Sequence, residues 1–318
     1  MKEIESKLSL GLALSDCFDV IAGTSTGGII ALLLSVPNQY GRPKYTASDV
    51  VEIYEQFGKD VFKPSLFQFI KSGGGLWDSK YSARNLERCF QTYFGEEKLN
   101  NVLAHIVIPT YEVEYDKVIF FKSFHANKNK AHDCFLKDLA RATSAAPVYF
   151  RPAFLTNEAG HTYTFLDGGV AVNNPTLAAC IHAREIFGDE VDCLVVSLGT
   201  GTNYGAKTVH TKKEDIASAG LLGWGHKIVS LMMYAVNEVT DYEMIYTFNK
   251  NQARKYYRFQ PILEAEHMAM DRVDNKNIEA LKQYAHDIIQ KRKDEIAEIA
   301  ADLSENANKK NRIGGYNV

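Results

Sequence analysis

One stretch narrows the possible folds more than any other part of the chain: FDVIAGTSTGGIIALLL, from Phe18 to Leu34. It begins as a short apolar strand over Phe18 to Ala22, breaks at Gly23, and resumes at Thr26 as an apolar helix reaching about Leu34. Ser25 stands at the break, inside Gly23-Thr24-Ser25-Thr26-Gly27. This is the G-x-S-x-G pattern, in which a sharp strand-to-helix turn lifts a serine hydroxyl clear of a sheet. Such a turn needs backbone angles and close approaches that a Cβ would obstruct, which accounts for the glycines. The helix start then faces the serine, and its N–H groups and positive dipole end favour negative charge there. That environment suits a serine nucleophile and a tetrahedral oxyanion. The competing reading is a glycine-rich turn that binds phosphate or merely packs. Its two commonest forms fail on spacing, because the stretch contains neither G-K-[ST] nor G-x-G-x-x-G.

Taken in order, the chain predicts a short helix over residues 3–14, then the Phe18 strand and the helix after Ser25. A loop over Val36 to Lys44 follows, and then a helix over Ala47 to Phe57 with Ser48 as its N-cap. Further helices are expected over Tyr81 to Phe94, Leu136 to Ser144 and Pro175 to Phe187, the last opened by its proline. Strands are expected over His105 to Val113, Lys117 to Ser123, Tyr163 to Leu166 and Val191 to Leu198. Strands alternating with helices indicate an α/β layer fold with a mostly parallel sheet. Leu221 to Tyr234 is apolar and aromatic and reads as core or pocket wall. Residues 274–306 carry apolar side chains at helical spacing and read as one long or two consecutive amphipathic helices. A polar tail, 307–318, is expected to be mobile. No repeat or linker divides the chain, so a single domain over 1–318 is expected.

The 318 residues are 46% hydrophobic and 24% charged, ordinary globular composition with ample core-forming material. With 36 basic against 39 acidic residues, the net charge is −3, and no basic excess marks a nucleic-acid partner. The longest apolar run, Ile29 to Leu34, is far short of a membrane span. The N-terminus has acids among its first residues and does not read as a signal peptide. Five cysteines without CxxC spacing make a disulfide framework or a metal site unlikely and fit a reducing, cytoplasmic setting. One segment invites a peripheral membrane role. Phe62, Leu66, Phe67, Phe69, Ile70 and Trp77 surround Lys63, Lys71 and Gly73-Gly74-Gly75, a composition able to dip into a lipid interface. The same residues read equally as a loop packed over the core.

A serine hydroxyl needs a base. All nine histidines follow Ser25, and those at 182, 210, 226, 267 and 286 each stand in an unremarkable context. Asp167 is the stronger candidate. It ends a strand, where ligands gather in α/β sheets, and Gly168 and Gly169 leave its carboxylate approachable. By itself Asp-Gly-Gly is also a common tight turn.

At this point several blocks together resemble the patatin-like phospholipases, a family of serine-aspartate lipid acyl hydrolases. The stretch around Ser25 resembles the family's nucleophile block, with Gly23, Thr24, Thr26, Gly27 and Gly28 forming its elbow. KYSARNLERCFQTYFG (Lys80 to Gly95), RATSAAPVYFRP (Arg141 to Pro152), FLDGGVAVNNP (Phe165 to Pro175) and VVSLGTG (Val195 to Gly201) resemble four more blocks in the family's order. The resemblance implies a three-layer α/β/α fold, Ser25 as nucleophile, Asp167 as its single catalytic partner, no cofactor and no metal. It implies hydrolysis of fatty-acyl esters of phospholipids or related lipids through an acyl-enzyme. The Thr26 and Gly27 amides are the expected oxyanion donors within the elbow.

One departure stands out. The family begins with a strand ending in a D-G-G-G-x-R loop that supplies further oxyanion amides. Met1 to Leu14 resembles only the helix after that loop, and Gly73-Gly74-Gly75 does not match it. The expectation is a shortened version of a longer active protein. The alternatives are another segment or a second copy that fills the gap, and a fold kept with much of the activity lost. For function, the alternatives are a non-catalytic or weakly active lipid-binding or regulatory protein on the same fold and a Ser-His-Asp esterase.

Overall fold

The computed structural model describes residues 1–62, 79–156, 160–202, 221–248 and 255–312, with backbone alone at 221–230 and 310–312. The chain enters through two one-turn helices, α1 (Lys2–Glu5) and α2 (Leu14–Cys17). The single helix expected over residues 3–14 ends at Glu5, and Gly11, at φ +84°, a left-handed angle that a right-handed helix does not tolerate, separates it from α2. Strand β1 (Val20–Ala22) and helix α3 (Thr26–Ser35) follow as expected. Ile29, Ala31, Leu32, Leu33 and Leu34 of α3 are all buried, so this helix, apolar all round, lies inside the core.

Helix α4 (Ala47–Val61) is capped by Thr46, not by Ser48. The Thr46 hydroxyl accepts from the Asp49 amide at 3.1 Å, and the Asp49 carboxylate accepts from the Thr46 amide at 2.8 Å. This reciprocal box needs an acid three residues after the cap, and Asp49 stands at that spacing from Thr46 rather than from Ser48. Helix α5 (Ala83–Phe94) starts at a Ser82 cap.

Strands β2 (His105–Glu112) and β3 (Lys117–Lys122) form the predicted hairpin. Helices α6 (Ser123–Lys128) and α7 (Leu136–Thr143) follow. Then come β4 (Ala153–Thr156), β5 (Thr162–Asp167), helix α8 (Thr176–Phe187) and β6 (Leu194–Leu198). The apolar segment from Leu221 proves to be the start of a long helix, α9 (Leu221–Phe248). Its Met244 and Phe248 are buried with Cys180 against Leu177, Val195 and Tyr256. Strand β7 (Lys255–Phe259) and the paired helices α10 (Asn275–Lys291) and α11 (Lys293–Arg312) complete the chain. The C-terminal region is thus two helices rather than one. The second runs past the expected boundary, with Ala307 buried in the core. Residues 313–318 lie outside the described residues.

The fold is the expected α/β arrangement, with a sheet of mixed direction. One sheet has the order β1-β2-β5-β4, with β3 also on β2, and a second holds β6 and β7. The β1–β2 and β6–β7 pairs are parallel, whereas β2–β3, β2–β5 and β4–β5 are antiparallel. Connection length explains the antiparallel hairpins. Residues 113–116 join β2 to β3 and residues 157–161 join β4 to β5, and links that short can only reverse the chain. Among the described residues, no helix is long and apolar enough to cross a membrane.

Strand β2 sets the position of the functional segments. Ala22 pairs with Val107, and Asp167 pairs with Thr110. The end of β1 and the end of β5 are therefore three residues, about 10 Å, apart along one strand. Ile106 and Ile108 of β2 are fully buried in the same apolar cluster as side chains of α3 and α5, which fixes that strand in place.

The Thr46 box gives a test of the α4 start. Thr46→Ala should cost about 1 kcal/mol in urea unfolding, as loss of an N-cap does. Ser48→Ala should stay within about 0.5 kcal/mol of the parent. Equal losses at the two positions would contradict the assignment.

Candidate active site

The elbow is built as its sequence requires. A Cβ on Gly23 would lie 2.0 Å from the Gly27 carbonyl oxygen, so the chain can double back only with glycine there. A Cβ on Gly28 would lie 2.9 Å from the Thr143 methyl group. Gly27 has no such constraint: its Cβ direction is open, beside Ser25, where a ligand could approach the backbone. Ser25 itself adopts φ 55° and ψ −122°. A non-glycine residue held there costs about 1–3 kcal/mol and persists only when its surroundings fix it. They do so here. The Gly23 amide donates to the Val107 carbonyl at 3.2 Å, tying the turn to β2. The Thr24 hydroxyl donates to the Val172 carbonyl at 2.7 Å, tying it to the segment after Asp167. The Ser25 amide donates to Thr143 Oγ1 at 3.0 Å.

Asp167 is placed with equal care. It ends β5, and its amide donates to the Ala145 carbonyl at 3.0 Å. The chain then turns tightly against β2: a Cβ on Gly168 would lie 2.2 Å from the Pro109 carbonyl oxygen. The Gly169 amide donates to Asp167 Oδ1 at 2.7 Å, which leaves Oδ2 turned toward Ser25. The Ser25 hydroxyl donates to that oxygen at 2.5 Å. Two segments predicted separately from sequence thus meet in one hydrogen bond.

Asp167 is 2% exposed. Burial pushes its pKa up to about 6, against the opposing pull of the Ser25 hydroxyl and the Gly169 amide. A carboxylate so placed is basic enough to accept a proton from a hydroxyl already bonded to it, and is still ionised near neutral pH.

The amides around Ser25 divide unevenly. Gly27 N–H donates to the Thr24 carbonyl at 2.8 Å. Ser25 N–H is engaged by Thr143. Thr26 N–H, at the first position of α3, is the amide that follows the serine, the usual donor at such an elbow. Burial pushes the Tyr54 phenol, on α4, up to about 12, with the Thr26 side chain opposing that shift.

Other predicted residues fall elsewhere. Phe62 turns inward, edge-on to Tyr81 at 5.2 Å between ring centroids and 6.1 Å from Phe150, so it packs rather than reaching for lipid. Leu66, Phe67, Phe69, Ile70 and Trp77 lie outside the described residues. His182 is fully buried and bonded to Glu185 at 3.0 Å, with burial lowering its pKa. His267 is bonded to Asn277 at 2.6 Å. Among the described residues, Glu264, Glu266 and His267 are the one trio able to bring ligand atoms together for a metal, and both acids are exposed. Sequence reasoning missed Thr143 as a site residue: it lies 118 residues from Ser25, inside the RATSAAPVYFRP block, and nothing in that block marks its hydroxyl as the partner of the Ser25 amide.

Residues 2–180 match the sequence profile of the patatin-like phospholipases. The chain is 31% identical over 304 residues to patatin-like protein 2 of Arabidopsis thaliana, covering 87% of this chain and 74% of that protein. It is 32% identical over 296 residues to patatin-11 of Solanum tuberosum, again covering 87% and 74%. Patatin-like protein 4 of Arabidopsis thaliana is 30% identical over 317 residues, covering 91% and 77%.

The buried carboxyl makes a pH prediction. Its ordinary value is 3.8 and its folded value is about 6, so folding favours the protonated form. The associated stability is complete below pH ~4 and is lost as pH rises through ~6, on the order of 2–3 kcal/mol in all. Asp167→Asn cannot ionise. Its stability margin over the parent should therefore grow by about 2 kcal/mol from pH 4 to pH 7 in denaturant titrations. A margin independent of pH would contradict the placement of Asp167.

Proposed function

This chain belongs to the patatin-like phospholipase family, and on that premise we propose that it is a lipid acyl hydrolase working through a Ser25–Asp167 dyad. The observation that carries the reading is the 2.5 Å hydrogen bond from Ser25 Oγ to Asp167 Oδ2, made by a serine on a strained elbow and a buried carboxyl group. The substrate class is the fatty-acyl ester of a phospholipid or related lipid, met at a lipid surface, and the whole chain serves as one catalytic domain.

The chemistry follows from the positions. Ser25 Oγ attacks the acyl carbonyl carbon while its proton passes to Asp167 Oδ2. The tetrahedral oxyanion forms beside the start of α3, where the Thr26 amide and the helix dipole favour negative charge. The intermediate collapses, the ester C–O bond breaks, and the proton on Asp167 passes to the departing alcohol oxygen. The acyl group is left on Ser25. Water then attacks the acyl-enzyme, giving its proton to Asp167. Collapse releases the fatty acid, and the proton returns to Ser25. Asp167 acts as base in each attack and as acid in each collapse. No histidine is required, and the described surroundings of His182 support that economy, since its Nδ1 is committed to Glu185.

Hydrolysis of a p-nitrophenyl ester and of phospholipid vesicles tests the proposal. Ser25→Ala should reduce turnover to background, and Asp167→Asn should lower kcat by about 10²–10⁴-fold, the usual worth of a general base. The parent rate should rise with pH through about 6, where burial places the Asp167 carboxyl. Turnover that survives Asp167→Asn but is lost on replacing a histidine would assign the base elsewhere.

A further inference from the structure

The amide of Ser25 reaches β2 through one side chain. Ser25 N–H donates to Thr143 Oγ1 at 3.0 Å, and the Thr143 hydroxyl donates onward to the Pro109 carbonyl at 2.8 Å. The ends of this relay fix its direction. An amide only donates and a carbonyl only accepts, so the hydroxyl between them must accept from Ser25 and donate to Pro109. Thr143 is wholly buried at the end of α7. Its methyl group is engaged too, 2.9 Å from the position a Cβ on Gly28 would take. The Pro109 carbonyl that ends the relay is the one against which the Gly168 turn is folded. Its neighbour Thr110 is the register partner of Asp167. A single side chain therefore touches the nucleophile's turn, the first turn of α3 and the strand that positions the base.

We propose that Thr143 is a positioning residue whose hydroxyl holds the Ser25 backbone in the turn that aims Oγ at Asp167. The inference rests on reading Ser25 and Asp167 as the catalytic pair. Ser25 sits at φ 55°, and a residue in that region relaxes unless both of its flanking peptides are held. Both are. Thr143 anchors the amide side, and the Ile29 amide, donating to the Ser25 carbonyl at 3.1 Å, anchors the other. With neither flanking peptide free to rotate, the direction of the Cα–Cβ bond is set, and with it the reach of Oγ to the carboxylate. The same relay removes the Ser25 amide from the oxyanion's possible donors, so the contribution of the elbow to that charge falls on Thr26.

Two variants separate the hydroxyl from the methyl group. Thr143→Val keeps the shape and loses the relay, whereas Thr143→Ser keeps the relay and loses the methyl group. A carbon-13 NMR titration of the Asp167 carboxyl reads the aim of Ser25 without requiring turnover, because the Ser25 hydroxyl holds that titration down. Thr143→Val should move the midpoint upward by about half a unit or more. It should also lower kcat on a p-nitrophenyl ester by about 10- to 100-fold, with KM little changed, as expected for a misplaced reacting group. Thr143→Ser should stay close to the parent in both. An unchanged midpoint and kcat in folded Thr143→Val would overturn the proposal, as would Thr143→Ser behaving like Thr143→Val, which would assign the role to packing. If Thr143→Val does not fold, Thr143→Ser decides alone: a parent-like midpoint supports the relay and a raised one overturns it. Ser25→Ala is the control. It should itself raise the midpoint, and if it does not, the pair fails as a unit and the role of Thr143 fails with it.

Discussion

A hydroxyl and a carboxylate 142 residues apart in the chain meet in one short hydrogen bond, and most of the described fold can be understood as what holds them there. Neither group could do so from its own segment. Ser25 needs a turn that its backbone disfavours, and Asp167 needs burial that its charge disfavours. Strand β2 reconciles the two. It pairs with β1 below the serine turn and with β5 at the aspartate, and its Pro109 carbonyl lies between them. The buried isoleucines of β2, in one apolar cluster with side chains of α3 and α5, supply the apolar contact that keeps this strand from shifting. The energetic links run in one direction: core packing fixes β2, β2 fixes the two turns, and the turns fix the bond.

Burial of Asp167 has a cost and a use. In water, an aspartate that titrates near 4 is a weak base toward a hydroxyl. The site removes water from the carboxyl group, which destabilises the ion and makes it more avid for a proton. The Gly169 amide and the Ser25 hydroxyl return part of that stabilisation, so the group settles near 6 rather than higher. The outcome is a base still ionised at neutral pH yet stronger than an exposed carboxylate. Stability at neutral pH is given up in exchange, as is common where a fold carries reactive groups.

Local chemistry made part of this legible in the sequence. The glycine spacing around Ser25 announces a sharp turn, and the structure shows why Gly23 and Gly28 must be glycines. Asp-Gly-Gly at a strand end announced the second turn, and Gly168 is again sterically required. What escaped was whatever depends on distant partners. Thr143 carries no mark of its role, since its two hydrogen-bond partners come from other segments. The commitment of the Gly27 amide to the Thr24 carbonyl depends on how tightly the turn closes, which spacing does not specify. Strand β4 is only four residues long and follows a proline, and β7 has tyrosines on both faces, so neither shows the alternation by which strands are recognised. The cap of α4 was misplaced by two residues because Thr46 and Ser48 are both good caps, and only the reach of Asp49 chooses between them.

In the proposed reading Ser25 is an activated nucleophile and Asp167 activates it. Treating the parent chain with a fluorophosphonate and mapping the adduct by peptide mass spectrometry tests this without presupposing a lipid substrate. The expected result is a single covalent adduct on the peptide containing Ser25, formed at a rate that rises with pH through about 6 and falls sharply in Asp167→Asn. A folded protein that carries no adduct at Ser25, or labels equally fast without the Asp167 carboxylate, would contradict it.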